Sequence, residues 1–323
     1  MGDLILTTPL LRALRTRHPA AHLTLVTRAE YAPLFANNPR VNEVIAWEPS
    51  SGLRALARRL RRERFTHRLD LHGSLRSRAL RLLVGGRWGS FPKHRAARAA
   101  LIRFKRDLYR DRRPVALRYF DAARGLDPAP DDRPPEVFLH TGALQAADAF
   151  LADRGLGRQR TLVAVAPGAA QATKRWPERH WVALVRALID SGRDVVVVGG
   201  PEEGDLANRV ARGGAPRAAS AAGLFDMQGT GALLRRSRAA LSGDTGVGHL
   251  ATAVGTPVVI LMGPTVGAFG FRPYNARSTV LERNLSCRPC SSHGGDRCPL
   301  GHHNCLETIL PGEVLEALRR LPQ

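Results

Sequence analysis

Residues 238–265 read RAALSGDTGVGHLATAVGTPVVILMGPT, with Asp244 in the first loop. Before it, Arg238–Leu241 forms a short strand. Ser242–Ala251 is a Gly-containing loop turning into a helix, and Pro257–Met262 is a continuous apolar run of the kind buried on both faces of a parallel sheet. Thr245 and Gly246 fall at the helix N-terminus, where unpaired amides and the positive end of the dipole attract a diphosphate. His249 points to the same place from the first turn. Two plainer roles stand beside this one, with Asp244 as a helix cap and His249 as a core histidine.

The same alternation extends in both directions. Upstream, Thr161–Ala166 (TLVAVA) and Asp194–Val198 (DVVVV) are further strands, and between them Trp181, Leu184, Val185 and Leu188 mark one face of a helix. In the first half, Thr8 as N-cap and Pro9 at the first helical position announce a helix with Leu10, Leu11 and Leu14 on one side. His22–Thr27, Glu43–Trp47 and Phe65–Leu71 are strand candidates. The Pro- and Asp-rich stretch Asp127–Pro135 (DPAPDDRPP) interrupts this order and serves as a linker. The expected fold class is therefore α/β: two facing, doubly wound domains, 1–135 and 136–323, with ligands at the carboxyl ends of the strands. A chain of 323 residues also exceeds what one core usually supports.

Composition narrows the function classes. At 44% hydrophobic residues, long disorder is excluded. No run of about 18 uncharged apolar residues exists to cross a membrane, and Gly2 and Asp3 stand where a secretory signal would be basic and then apolar. A cytoplasmic, reducing address is expected. The formal charge of +21 is unevenly placed: Arg54–Arg118 holds 21 basic residues against Glu63, Asp70, Asp107 and Asp111. That surplus of 17 in one fifth of the chain points to an anionic partner, whether phosphorylated glycolipid, anionic membrane surface or nucleic acid. Within it, Arg95–Arg113 (RAARAALIRFKRDLYRDRR) has the spacing of a basic amphipathic helix, able to lie on an anionic membrane or to face the core.

Two more loops carry chemistry. Pro167–Trp176 (PGAAQATKRW) follows a strand, its small residues admit a phosphate to the backbone amides, and Lys174 reaches for the same anion. It lacks the second Gly and the Ser or Thr of a Walker loop, so an ATPase is not indicated. The third loop is GDLILTTP at the start, where Asp3 either caps the first helix or faces the cleft as a base. No Asp-x-Asp pair provides a metal clamp, and no Gly-x-Gly-x-x-Gly supports a nicotinamide dehydrogenase.

Taken together, GDLILTTPLLRAL, PGAAQATKRWP, GGPEE (199–203) and DTGVGHLATAVGTPVVILMGPT resemble the lipopolysaccharide heptosyltransferases of glycosyltransferase family 9, and they span nearly the whole chain. The resemblance implies the two-domain GT-B fold and inverting, metal-independent transfer of heptose from ADP-heptose to the phosphorylated inner core on lipid A, as part of building a Gram-negative-type cell envelope. It implies that Asp3 is the general base. It also implies that Lys174, Thr245, Gly246 and His249 hold the donor diphosphate with Asp244 alongside, and that Glu203 binds the ribose. No cofactor is required for catalysis. The acceptor belongs to the basic first half, with peripheral contact to the inner face of the cytoplasmic membrane. Relatives usually carry a short apolar strand ahead of the Gly-Asp pair, and that strand is missing here. A version extended upstream is expected to be more stable and more active. Where relatives have a PGT-like loop, this chain has PGAA, leaving only backbone amides at Ala169 and Ala170.

Cys287, Cys290, Cys298 and Cys305 are spaced C-x2-C-x7-C-x6-C, with His293, His302 and His303 between them. A structural zinc, disulfides and free thiols are all compatible with that spacing, and similar clusters in relatives imply a structural loop. Two alternatives to heptose transfer remain: a GT-B transferase using another nucleotide sugar, and an Arg-rich nucleic-acid-binding protein. The latter has little behind it, since aromatic residues are 6% and no recognition motif appears, so specific nucleic-acid binding is not expected.

Overall fold

The computed structural model describes residues 1–321. Among the described residues ten strands occur in three groups: β1 (Thr24–Arg28) with β2 (Glu43–Trp47), β3 (Leu69–Asp70) with β4 (Gly89–Ser90), and a six-stranded sheet in the second half. That sheet runs β10 (Ser278–Glu282), β9 (Val258–Met262), β8 (Ala239–Gly243), β5 (Thr161–Ala166), β6 (Arg193–Val197), β7 (Ala218–Ser220), with every pairing parallel.

The apolar runs predicted as strands are buried on both sides because alternate residues enter different cores. Val163, Val165, Val195, Val197, Leu241, Val259 and Leu261 pack with Trp181, Leu184, Val185 and Leu188 of the helix Glu178–Asp190. Leu162, Ala164, Ala166, Val196, Ala240, Val258 and Ile260 pack on the opposite face with the helices Thr141–Asp153, Met227–Arg236 and Gly246–Ala253. Ile5, Leu11, Leu34 and Phe35 from the first half join this second core.

The first half departs from an unbroken sheet. β1 pairs with β2 from Thr24↔Glu43 to Arg28↔Trp47, and β3 pairs with β4 through two residues. Between the pairs lies an apolar cavity of about 750 Å³. All of Thr24–Arg28 and all of Phe65–His72 line it. Side chains of a strand alternate between faces, so consecutive residues lining one space present the strand's backbone edge to it. The edges of β1 and β3 thus face one another without pairing. The same gap explains why Phe65–Leu71 shortens to Leu69–Asp70: it has a ladder partner on one side alone.

Three local expectations are corrected. Asp3 lies inside a short helix, Gly2–Ile5, and does not precede one; Thr8 begins the next helix (Thr8–Arg17) and is not its cap. With one helix feeding another, the hydroxyls of Thr7 and Thr8 donate back to the Leu4 and Ile5 carbonyls. The basic helix stops at Phe104, where Lys105 turns left-handed. Beyond it Asp107 and Asp111 bind Arg112 and Arg113, so Leu108 and Tyr109 leave the helical face. Leu101 and Tyr109 pack with Phe269, whereas Phe104 and Leu108 are 67% and 60% exposed. Within 127–135, Asp131 is held by the buried Arg12 through two bonds of 2.6 and 2.8 Å.

Candidate active site

Strands of the large sheet are added outward from β5 first through β6 and β7 and then on its other side through β8, β9 and β10, so the strand order reverses at β5, which lies between β6 and β8. The carboxyl ends of such neighbouring strands open the crevice where α/β proteins bind ligands. The loop after β5 carries Lys174 and the loop after β8 carries Asp244, so two residues 70 apart in sequence meet there. Lys174 Nζ donates to Asp244 Oδ2 at 2.7 Å and to its carbonyl at 3.0 Å, and Thr265 Oγ1 donates to the same carboxylate oxygen at 2.7 Å. Burial pushes the Asp244 carboxyl up, but the Lys174 ammonium and the Thr265 hydroxyl outweigh it and hold the group below its ordinary range. Asp244 therefore orients Lys174 and does not cap the helix.

Thr245 is the N-cap residue of the helix Gly246–Ala253, with no side-chain capping bond; its hydroxyl lies 3.0 Å from Ser242 Oγ. His249 is buried, and its Nδ1 has no partner among the described residues. Burial lowers its pKa, while Asp244 and Asp3 raise it and Lys174 lowers it further.

The N-terminal segment sits directly on this helix. A Cβ at Gly246 would lie 2.4 Å from Met1 Cε, and one at Gly2 would lie 2.7 Å from His249 Cδ2. Glycine at these two positions is what permits the approach. Asp3 is thereby brought to the same crevice, where its charge is felt by His249, His72, Lys93, His293 and Tyr119. Tyr119 Oη donates to the Asp3 carbonyl at 3.3 Å. Burial lowers the pKa of Lys93, with Arg95 and Arg98 adding to this and Asp3 and Asp70 opposing it.

Glu203 is one strand away, in the turn after β6. It accepts the Gly200 N–H at 2.9 Å, and its carboxylate fills the space beside Gly168, where a Cβ would come within 2.1 Å of it. The structure thus joins Lys174, Asp244, Thr245, Gly246, His249 and Asp3 in one crevice and puts Glu203 along its rim. His72 and Lys93 were not singled out from sequence, and His293 was noted only as one of the histidines between the four cysteines. Lys93 alone carried a signal, being one of three lysines in a chain of 46 arginines.

The four cysteines are free thiols: Cys305 is buried and the others half-buried. Burial and the neighbouring thiols push Cys305 up to about 11. Among the described residues no group of three or more His, Cys, Asp or Glu is gathered as a metal ligand set, so a zinc would require this loop to tighten.

Two α/β halves meeting over such a crevice have the GT-B fold of glycosyltransferases. The chain belongs to glycosyltransferase family 9 (heptosyltransferase), whose model matches residues 53–298. It is 27% identical to lipopolysaccharide heptosyltransferase 2 of Salmonella typhimurium over 99% of this chain and 95% of the relative. Among solved structures it is similar to a glycosyl transferase family 9 protein of Veillonella parvula, with a TM-score of 0.81 and 24% identity over 99% and 93% of the two chains. It is also similar to the ADP-heptose lipopolysaccharide heptosyltransferase II of E. coli, with a TM-score of 0.74 and 24% identity over 98% and 94%. No helix among the described residues is long and apolar enough to cross a membrane.

Proposed function

We propose that this chain is an inverting heptosyltransferase, moving heptose from ADP-heptose to a hydroxyl of the lipopolysaccharide inner core. The observation that carries this is the Lys174–Asp244 pair beside the N-terminus of Gly246–Ala253, with the Asp3 segment packed on the same helix. In a single displacement the acceptor oxygen bonds to the anomeric carbon as the bond to the diphosphate breaks. The hydroxyl proton passes to the Asp3 carboxylate, and ADP departs with the bonding electrons. Lys174 offsets the charge of the leaving diphosphate without a metal, the helix amides, Thr245 and His249 hold it by hydrogen bonds, and Glu203 holds the ribose. General-base help is worth about 10² to 10⁴ in rate, and one preplaced electrostatic donor about 10² to 10³.

In this assignment residues 1–135 bind the acceptor and 136–323 the donor. The excess charge of Arg54–Arg118 meets the phosphates of lipid A and the core, at the cytoplasmic face of an anionic membrane. Sedimentation with anionic but not neutral vesicles tests that placement. A structural zinc on Cys287, Cys290, Cys298 and Cys305 is a separate proposal, supported by the knuckle spacing of the first pair; zinc stoichiometry on the purified protein decides it. The function itself is tested by incubation with ADP-heptose and truncated core acceptors. The expected result is a mass gain of one heptose, and no transfer to any of them overturns it.

A further inference from the structure

The cysteine-bearing segment 287–305 is a wall of the crevice and not a distant appendage. Hydrogen bonds join it to the donor loop: the Thr173 N–H to the Gly295 carbonyl at 3.0 Å, the Thr173 hydroxyl to the same carbonyl at 3.0 Å, and the Gly295 N–H to that hydroxyl at 2.8 Å. His303 Nε2 lies 2.9 Å from the Thr173 carbonyl. Gly294, with φ of +94°, backs onto Gln171 and the Lys174 side chain, where a Cβ would come within 2.8 and 3.2 Å. On its other side, Arg288 donates to the Gly263 and Thr265 carbonyls, and Thr265 holds Asp244. From the first half, Lys105 Nζ donates to the Cys287 and Pro289 carbonyls at 2.9 and 2.6 Å. The segment therefore touches the loop that carries Lys174, reaches Asp244 through Thr265 in the loop after β9, and also touches the opposite half of the chain.

At its tip is His293, exposed and adjacent to the Gly294 that rests on Lys174. The ring lies within electrostatic reach of Lys174 on one wall and of Asp3, Lys93 and Arg98 on the other. Ser292 Oγ is 2.7 Å from Nδ1. With that hydroxyl donating to Nδ1, the ring proton resides on Nε2, the nitrogen left for a ligand. The neighbours are mostly cationic, so the group suited to this corner carries negative charge and accepts hydrogen bonds.

We infer that His293 is a substrate-binding residue whose Nε2–H donates to a phosphoryl oxygen of the donor diphosphate, held in place by the 287–305 segment through Thr173 and Gly295. The inference rests on the proposed transfer from a nucleotide sugar and adds a residue from a third loop to that site. A phosphate on the acceptor has the same chemistry, but Lys174 is the cation against which this tip packs, which favours the donor.

The test compares wild type with His293→Ala and His293→Gln, using ADP affinity by calorimetry, kcat, and KM for ADP-heptose and for a core acceptor, with melting temperature as the folding control. Expected for His293→Ala are about tenfold weaker ADP binding and a kcat about 10²-fold lower at unchanged melting temperature. Recovery of most of the loss is expected in His293→Gln, which keeps a donor. A second variant, Thr173→Val, breaks the anchor and should weaken ADP binding with His293 still present. ADP affinity and kcat within twofold of wild type in His293→Ala would overturn the inference, as would an effect confined to acceptor KM. If wild type transfers no heptose, the functional proposal fails by itself, and the ADP-affinity comparison still judges His293.

Discussion

The Lys174–Asp244 pair shows how one contact serves both folding and chemistry. Its partners are mostly out of water, with side chains 16% and 9% exposed. Removing one member of such a pair strands the other's charge. Lys174→Met is therefore expected to cost about 3 kcal/mol at neutral pH and to abolish the rise in melting temperature that ADP-heptose gives wild type; thermal melts with and without the nucleotide sugar check both. His249 yields a pH prediction. Its pKa when folded is below the unfolded value of about 6.5, so the unfolded chain binds more protons as pH falls. Its contribution to stability is complete above that value and is lost below it. Asp244, with its folded pKa depressed, contributes above about 3.9 and loses this only in stronger acid. Melting temperature should hence fall between pH 7 and 5 in wild type, and a His249→Gln variant should show a flatter profile. An identical slope in both would assign the loss to other groups.

Among the elements, those of the second half were legible in the sequence because their code is local. TLVAVA and PVVILM are too short and too apolar for anything but buried strands, and Trp181, Leu184, Val185 and Leu188 fall on one helical face. The loops after β5 and β8 were legible as strand-to-helix loops for the same reason, but their meeting depends on strand order, which no local pattern encodes. His293 was visible only as a companion of the cysteines, because its place beside Lys174 follows from where 287–305 folds back, through Thr173 and Gly295, and nothing around it in sequence announces that. The overlong helix from Arg95 failed for a related cause: its periodicity continued past Phe104, while the Asp107 and Asp111 ion pairs took the chain elsewhere. Glu203 offers a prediction at this scale. In Gly168→Ala the new methyl displaces the Glu203 carboxylate, a flexible side-chain end, and not backbone. Affinity for ADP should drop several-fold with little change in melting temperature, as calorimetry alongside thermal melts would show.

The molecule as a whole has one half with a continuous sheet and one with two separate strand pairs. The six-stranded sheet is covered on both faces, whereas the first half leaves β1 and β3 facing each other across the apolar cavity of about 750 Å³. A peptide strand fits such a space better than a lipid chain would, because it fills the volume and also satisfies the amides and carbonyls along both edges. Fusing a five-residue Val- and Ile-rich segment ahead of Met1 should raise the melting temperature by several degrees and increase transfer activity, since Asp3 would then follow a fixed strand. A Gly- and Ser-rich segment of equal length should do neither. Equal melting temperatures for the two fusions would show that the cavity does not accept a strand.

Those opposed edges have a further cost in concentrated solution. Any extended stretch from a neighbouring molecule can zip into the seam, with greasy walls to welcome it, so this protein should clump as its concentration rises and become better behaved once the seam is closed from within.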